Sequence, residues 1–188
     1  LGVCATPQLS FAVRELGAAG GISITGSHND AQWNAFKFIG SDGALMNAVK
    51  SEELLDIYHA AEFSHMPWDR IQGWTPAPLD LQERYITHLL SALDVERIRR
   101  AKIRVAIDFC NGAGAAVAGR LMEELGCTLI PLNEEPSGQF AHSPAPNPAN
   151  MRQLAALLRH LEADLGAAVN IDGDRLALVT ADGVPLSE

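Results

Sequence analysis

Apolar positions along the chain fall into short runs separated by polar and glycine-rich joints. Ile22 and Ile24 alternate with small residues, and Phe36-Lys37-Phe38 resumes the alternation after a polar loop. Period-two alternation predicts two strands joined by that loop. A helix is predicted ahead of them, from Phe11 to about Ala19, capped by Ser10 and ended by Gly20-Gly21. Ser51-Glu52-Glu53 opens a second helix carrying Leu54, Leu55, Ile57 and Tyr58, with its acids where the helix dipole favours them. Residues 66–78 hold three prolines and two tryptophans and read as a packed surface loop, since disordered linkers seldom carry tryptophan. An amphipathic helix over residues 80–93 follows, with Tyr85, Leu89 and Leu90 on its apolar side.

The pattern changes after the charged stretch DVERIRRAK, residues 94–102, which is the expected joint between two domains, 1–97 and 98–188. Beyond it, strands over 103–109, 128–132, 167–171 and 176–180 alternate with helices over 115–125 and 150–162. Strands alternating with helices imply right-handed βαβ units and a largely parallel sheet, so the fold class is α/β.

Composition narrows the partners. With 188 residues, 47% of them hydrophobic, the chain has room for one large or two small cored domains. A net charge of −9 argues against nucleic acid or an anionic membrane as partner, because neither attracts a polyanion. No apolar run reaches the length of a membrane span, and no signal-peptide pattern opens the chain. Cys4, Cys110 and Cys127 are odd in number and lack metal spacing, so they read as buried thiols of a reducing cytoplasm.

Two loops concentrate the reactive residue types. Thr25-Gly26-Ser27-His28-Asn29 places a hydroxyl beside an imidazole and an amide at a strand end, after a glycine that permits close backbone approach. Lys37 sits in an apolar run a few residues on, where desolvation is expected to lower its pKa toward general acid/base use. The plainer reading of this loop is an Asx-type turn in which Ser27 and Asn29 cap backbone groups. Near the C-terminus, Asp172 and Asp174 flank Gly173 between two apolar strands, so two hard oxygens can converge on one Mg²⁺, with Arg175 set for a phosphate.

Together these loops resemble the α-D-phosphohexomutase family, which comprises phosphoglucomutase, phosphomannomutase and phosphoglucosamine mutase. Thr25 to Asn29 matches its T-A/G-S-H-N-P loop, and Asp172-Gly173-Asp174-Arg175 matches the end of its D-G-D-G-D-R loop. Trp33-Asn34-Ala35-Phe36-Lys37, VAIDFCNGAG (105–114) and IPLNEEPSGQF (130–140) are similar to further family segments. Asp30 replaces the loop's usual proline and is expected to loosen it. Asn170-Ile171 stands where the first Asp-Gly of the metal loop belongs, which turns one ligand into an amide.

The resemblance implies two consecutive α/β/α domains with mixed, largely parallel sheets, the first incomplete at its N-terminus. It implies a fragment lacking the family's third and fourth domains and inactive by itself. The whole protein is expected to move a phosphoryl group between O1 and O6 of a hexose phosphate through a phosphoserine and a bisphosphate. The implied catalytic residues are Ser27, His28, Lys37 and Arg175, and Thr25, Asn29 and Arg175 would bind phosphate. Ser27, Asp172, Asp174 and Asn170 would hold Mg²⁺, with a hexose bisphosphate as activator.

Other classes compete. A non-catalytic phosphosugar-binding relative is the main alternative, because of Asn170. Asn111 to Gly119, after a strand and opening a helix, looks like a dinucleotide fingerprint, but its glycine spacing departs from G-x-G-x-x-G. Close packing of small residues is the plainer account of that stretch. A serine hydrolase is disfavoured because neighbouring residues of an extended segment, such as Ser27 and His28, point to opposite faces, and the G-x-S-x-G elbow is absent. His59, His65, His88, His142 and His160 read as surface or helix-face residues, and Asp108 as a cap for the turn near Asn111.

Overall fold

The computed structural model describes residues 1–186. Its elements run α1 (Thr6–Glu15), β1 (Gly20–Thr25), β2 (Ala35–Gly40), α2 (Ala48–Ala60), α3 (Leu81–Ser91) and α4 (Val95–Ala101). Then come β3 (Arg104–Asp108), α5 (Ala115–Glu124), β4 (Thr128–Leu132), α6 (Arg152–Leu158), β5 (Leu165–Val169) and β6 (Leu176–Thr180). β1 and β2 form an antiparallel hairpin, and the other four strands form one sheet in the order β4-β3-β5-β6. β3 pairs in parallel with β4 and β5, while β5 and β6 are antiparallel. The four-stranded sheet is therefore mixed, and among the described residues parallel pairing is confined to it.

The second half is a three-layer sandwich, and β3 explains why. Val105 and Ile107 point to one face, where Ala115, Ala118 and Met122 of α5 pack on them. Ala106, between them, points to the other, where Leu154 and Leu158 of α6 join Met151, Ala168 and Val179. A strand covered on both faces needs apolar residues at every position, and VAI supplies them. Leu154 and Leu158 are buried completely enough for each to contribute about 1.5–3 kcal/mol.

Several boundaries differ from the expectation, each for a local reason. α1 begins at Thr6, not Phe11, because Pro7 fixes its first turn and the Gln8 side chain accepts the Ala5 N–H at 2.9 Å; Ser10 lies inside the helix. Gly20 and Gly21 consequently belong to β1. α2 starts at Ala48 because the Asn47 side chain caps it by accepting the Lys50 N–H. No residue of α2 is buried, and Leu55, Ile57 and Tyr58 stand in solvent. Residues 66–78 contain a 3-10 turn, Trp68–Arg70, but are not packed: Trp68 and Trp74 are nearly fully exposed. The charged stretch 94–102 forms α4, capped by the Asp94 carboxylate on the Arg97 N–H. Of the thiols only Cys110 is buried; Cys4 and Cys127 are half-buried, and all three are unpaired.

Candidate active site

The turn between β5 and β6 is organised by Asn170, which is fully buried. Its Oδ1 accepts the backbone N–H groups of Asp174 and Arg175, at 3.1 and 2.9 Å. Two N–H donors can meet only an oxygen, so the amide orientation is fixed and Nδ2 faces the other way. There it donates to Oδ1 of Asp172 and Oδ1 of Asp174, both at 2.8 Å. The expected amide ligand thus orients the two carboxylates, and its oxygen is spent on the backbone.

The outer oxygens of the same carboxylates converge on one cation. Lys37 Nζ, carried by β2, donates to Asp172 Oδ2 and to Asp174 Oδ2, each at 2.5 Å. Thr6, at the start of α1, adds its hydroxyl to Asp172 Oδ2 at 2.9 Å and its N–H to the Asp172 carbonyl at 2.8 Å. The positive end of α1 therefore faces a carboxylate that is itself almost wholly buried.

The charge state of Lys37 runs against the sequence expectation. Burial alone pulls its pKa down, but the hydrogen bonds and charges of Asp172 and Asp174 outweigh that, and the net shift is upward. Burial likewise pushes Asp174 up, and the Lys37 and Asn170 hydrogen bonds bring it below the usual carboxylate range. Periodicity reported the apolar neighbours of Lys37 but not two acids contributed from 135 and 137 residues away.

The Ser27 loop is a pair of tight turns. Ser27 adopts a left-handed conformation at φ 57°, and its N–H donates to the hydroxyl of buried Thr25 at 2.8 Å. That twist breaks the strand alternation, so Ser27 Oγ and His28 Nδ1 lie 3.4 Å apart instead of on opposite faces. At this distance the contact is long for a hydrogen bond. The Asn29 N–H donates to the Gly26 carbonyl, and the Trp33 N–H to that of Asp30. A Cβ on Gly26 would lie 2.8 Å from the Trp33 carbonyl oxygen, which is the close approach a glycine permits. Asp30, at the position of the family's proline, accepts the Ser143 hydroxyl through Oδ1 at 3.0 Å.

Thr25, Gly26 and Trp33 share a cavity of about 770 Å³ with Asn111, Gly112 and Asp172. Arg175 stands exposed at the end of the Asp172–Asp174 turn. Gly112 accounts for the fingerprint-like stretch: the backbone of Ile171 lies 2.4 Å from where its Cβ would be, so close packing of two loops requires the glycine. Among the described residues, no group of three or more His, Cys, Asp or Glu side chains forms a metal cage. Nor, among them, is any helix long and apolar enough to cross a membrane.

A second polar cluster escaped the sequence reading. Asp108, at the end of β3, accepts the Cys110 N–H and the Asn133 amide through Oδ1 and pairs with His142 Nε2 through Oδ2 at 2.9 Å. Asp108 does cap its turn, but His142 is a partner in a half-buried ion pair and not a surface residue. The hydrogen bonds from Asp108 and Cys110, against the opposing effect of burial, push the His142 pKa up to about 11. The acid at a strand end was visible in sequence; a partner 34 residues on in an irregular loop carried no periodic signal.

Comparison with known proteins identifies the family of the chain. Residues 1–65 match the phosphoglucomutase/phosphomannomutase α/β/α domain I, and residues 83–183 match domain II. The chain is 30% identical over 183 residues to the phosphoglucosamine/phosphogalactosamine mutase of Sulfurisphaera tokodaii, covering 97% of this chain and 40% of that protein. It is 29% identical over 184 residues to a Thermococcus kodakarensis phosphoglucomutase/phosphomannomutase, with the same coverage. The crystal structure of a phosphoglucomutase/phosphomannomutase family protein from Burkholderia thailandensis superposes with a TM-score of 0.71 at 28% identity, over 97% of this chain and 40% of that one. The chain spans about 40% of the length of these relatives. It belongs to the phosphoglucomutase/phosphomannomutase family.

Proposed function

We propose that this chain carries the phosphoserine loop and the cation-binding turn of a phosphohexomutase, the whole protein moving a phosphoryl group between O1 and O6 of a hexose phosphate. One observation carries the reading: Asp172 and Asp174 hold a single cationic atom, Lys37 Nζ, between them at 2.5 Å. Two hard oxygens converging on one positive point, with Asn170 setting both carboxylates, suit Mg²⁺, which usually takes one or two carboxylates plus phosphate oxygens. Asp172, Asp174 and a phosphorylated Ser27 are its proposed holders. When bound, Mg²⁺ supplies charge neutralisation at the transferring phosphoryl group.

The chain's own residues supply positioning and protons, which is most of what phosphoryl transfer asks of a protein. In the first transfer the bond from phosphorus to Ser27 Oγ breaks as one to a sugar hydroxyl oxygen forms, and the leaving Ser27 Oγ takes a proton from His28 Nδ1. Lys37 accepts the hydroxyl proton once it has left Asp172 and Asp174, the two carboxylates that otherwise hold it as a cation. In the return transfer Ser27 Oγ attacks the other phosphate of the bisphosphate, its proton passing to His28 Nδ1, the basic atom nearest to it in the loop. The departing sugar oxygen takes the proton of the Lys37 ammonium. Thr25 and Asn29 hold the loop's shape, and Arg175 is assigned to the phosphate as a cationic contact.

A hexose bisphosphate is the natural activator, since it regenerates phosphorylated Ser27. The three unpaired thiols suit a reducing, cytoplasmic setting. Assayed alone, the 188-residue chain is expected to be inactive, because remote binding energy contributes to turnover and not only to affinity. A non-catalytic phosphosugar-binding relative is the second reading, favoured by Asn170, which leaves only two carboxylates at the turn. The test is interconversion of hexose 1- and 6-phosphates by the full-length protein with Mg²⁺ and bisphosphate, wild type against Asp172→Asn. Turnover lost in the variant supports the mutase; binding without turnover in the wild type supports the second reading.

A further inference from the structure

We infer that Asp30 and Ser143 are positioning residues, whose hydrogen bond, backed by the Asp108–His142 pair, ties the Ser27 loop to the second half of the chain. The inference rests on the reading of Ser27 as phosphoryl carrier.

The tie can be followed atom by atom. Asp30 lies three residues after Ser27, and its carbonyl closes the turn that receives the Trp33 N–H. Its carboxylate accepts the Ser143 hydroxyl at 3.0 Å, 113 residues away in sequence. Ser143 is held in turn: its carbonyl accepts His142 Nδ1 at 2.9 Å, while His142 Nε2 donates to Asp108 Oδ2 at 2.9 Å. Asp108 is 1% exposed and ends β3, so the chain of bonds is rooted in the core of the second sheet. The backbone around this root is strained. Cys110, Asn111 and Asn133 are all non-glycine residues at φ between 48° and 55°. Such conformations persist where surrounding structure over-determines them, and they cluster at functional sites.

The same atoms argue against a second catalytic centre. Cys110 Sγ lies 3.7 Å from His142 Nδ1, which on paper makes a Cys-His-Asp set. Both ring nitrogens of His142 are already committed as donors, to Ser143 and to Asp108, so the imidazolium has no site to accept a thiol proton. Cys110 is 1% exposed and out of reach of a substrate. With proton transfer closed off, the cluster is left with a mechanical role: a charged, doubly anchored imidazole that fixes Ser143 for Asp30.

The test uses the full-length protein with Asp30→Ala, Ser143→Ala, the double variant and Asp30→Asn. Readouts are the rate of phosphoryl transfer from hexose bisphosphate to Ser27, kcat and KM for the hexose phosphate, and melting temperature. We expect each alanine variant to slow transfer about 3- to 10-fold at nearly unchanged KM and melting temperature. The double variant should be no slower than the slower single one, because both remove one bond. Asp30→Asn keeps the accepting oxygen and should retain most of the rate. Unchanged rates, multiplicative losses in the double variant, or Asp30→Asn as slow as Asp30→Ala would each overturn the inference. Ser27→Ala is run beside them: if it still takes up phosphate, the phosphoserine reading fails, whatever the Asp30 variants do.

Discussion

The Lys37 ammonium lies 2.5 Å from Oδ2 of Asp172, although one residue belongs to the strand after the Ser27 loop and the other to the turn after β5. The same nitrogen is equally close to Asp174. On the proposed function Lys37 stands where Mg²⁺ would be held, so the two are expected to compete for one pair of carboxylates.

That competition gives the first prediction. A metal ion entering the site has to displace two hydrogen bonds between charged groups, each worth about 1.5–3 kcal/mol. In Lys37→Met the ion enters without that cost. Mg²⁺ titrated by calorimetry into unphosphorylated full-length protein should bind about tenfold tighter or better in the variant, since 1.4 kcal/mol is a factor of ten. Equal or weaker binding would mean that Lys37 and the metal occupy different places.

Asn170 gives the second. The buried amide donates one proton to each carboxylate and accepts two backbone N–H groups. Asn170→Asp keeps the acceptor but replaces both donors with a third negative charge in the same buried turn. Without metal, that exchange should destabilise the protein by about 2–4 kcal/mol, as like charges and lost hydrogen bonds add. With Mg²⁺ present the added anionic oxygen becomes an advantage, and binding to the folded state should recover much of the loss. Urea unfolding in chelator and in millimolar Mg²⁺ separates the two conditions. A variant as stable as wild type in chelator would show that position 170 does not face the carboxylates.

How far the sequence reached is visible at these residues. The Ser27 loop and the Asp172–Asp174 turn were legible as polar turns at strand ends because each pattern is local. The alternating sheet and helices of the second half were legible for the same reason, since β3, α5, β4 and β6 each carry their own period. Lys37 was found but misjudged, because what sets its charge is a long-range contact. Asn170 was noticed as an exception, and only the backbone of the turn shows that its oxygen is already used. His142 was passed over because it lies in an irregular loop 34 residues from its partner Asp108, where no periodic pattern marks it. α1 shifted by one helical turn, since a proline in the first turn outranked a serine inside it.

The third prediction concerns pH. The His142 pKa is raised to about 11 from an ordinary value near 6.5, so its contribution is complete below about pH 6.5 and is lost as pH rises toward 11. Burial of Asp108 is outweighed by its hydrogen bonds to His142, Asn133 and Cys110, which lower its pKa, so its contribution is present above about pH 4 and lost in acid. Stability from this pair should thus be greatest between about pH 4 and 6.5 and decline through the alkaline range. Melting temperature followed from pH 6 to 10 should fall more steeply in wild type than in His142→Gln. Parallel profiles would contradict the ion pair.

Mass spectrometry reads directly whether Ser27 is the phosphoryl carrier. Full-length wild type and Ser27→Ala are incubated with hexose bisphosphate and Mg²⁺, and intact mass and peptide mass spectra are recorded beside the melting temperature. A half-buried loop serine whose hydroxyl makes only one long contact affects stability by about 0.5 kcal/mol, so both proteins should be folded. The account predicts one phosphoryl increment on the Ser27 peptide in wild type, and neither increment nor hexose phosphate interconversion in the variant. A folded Ser27→Ala protein that still gains phosphate, or still interconverts the hexose phosphates, would contradict it.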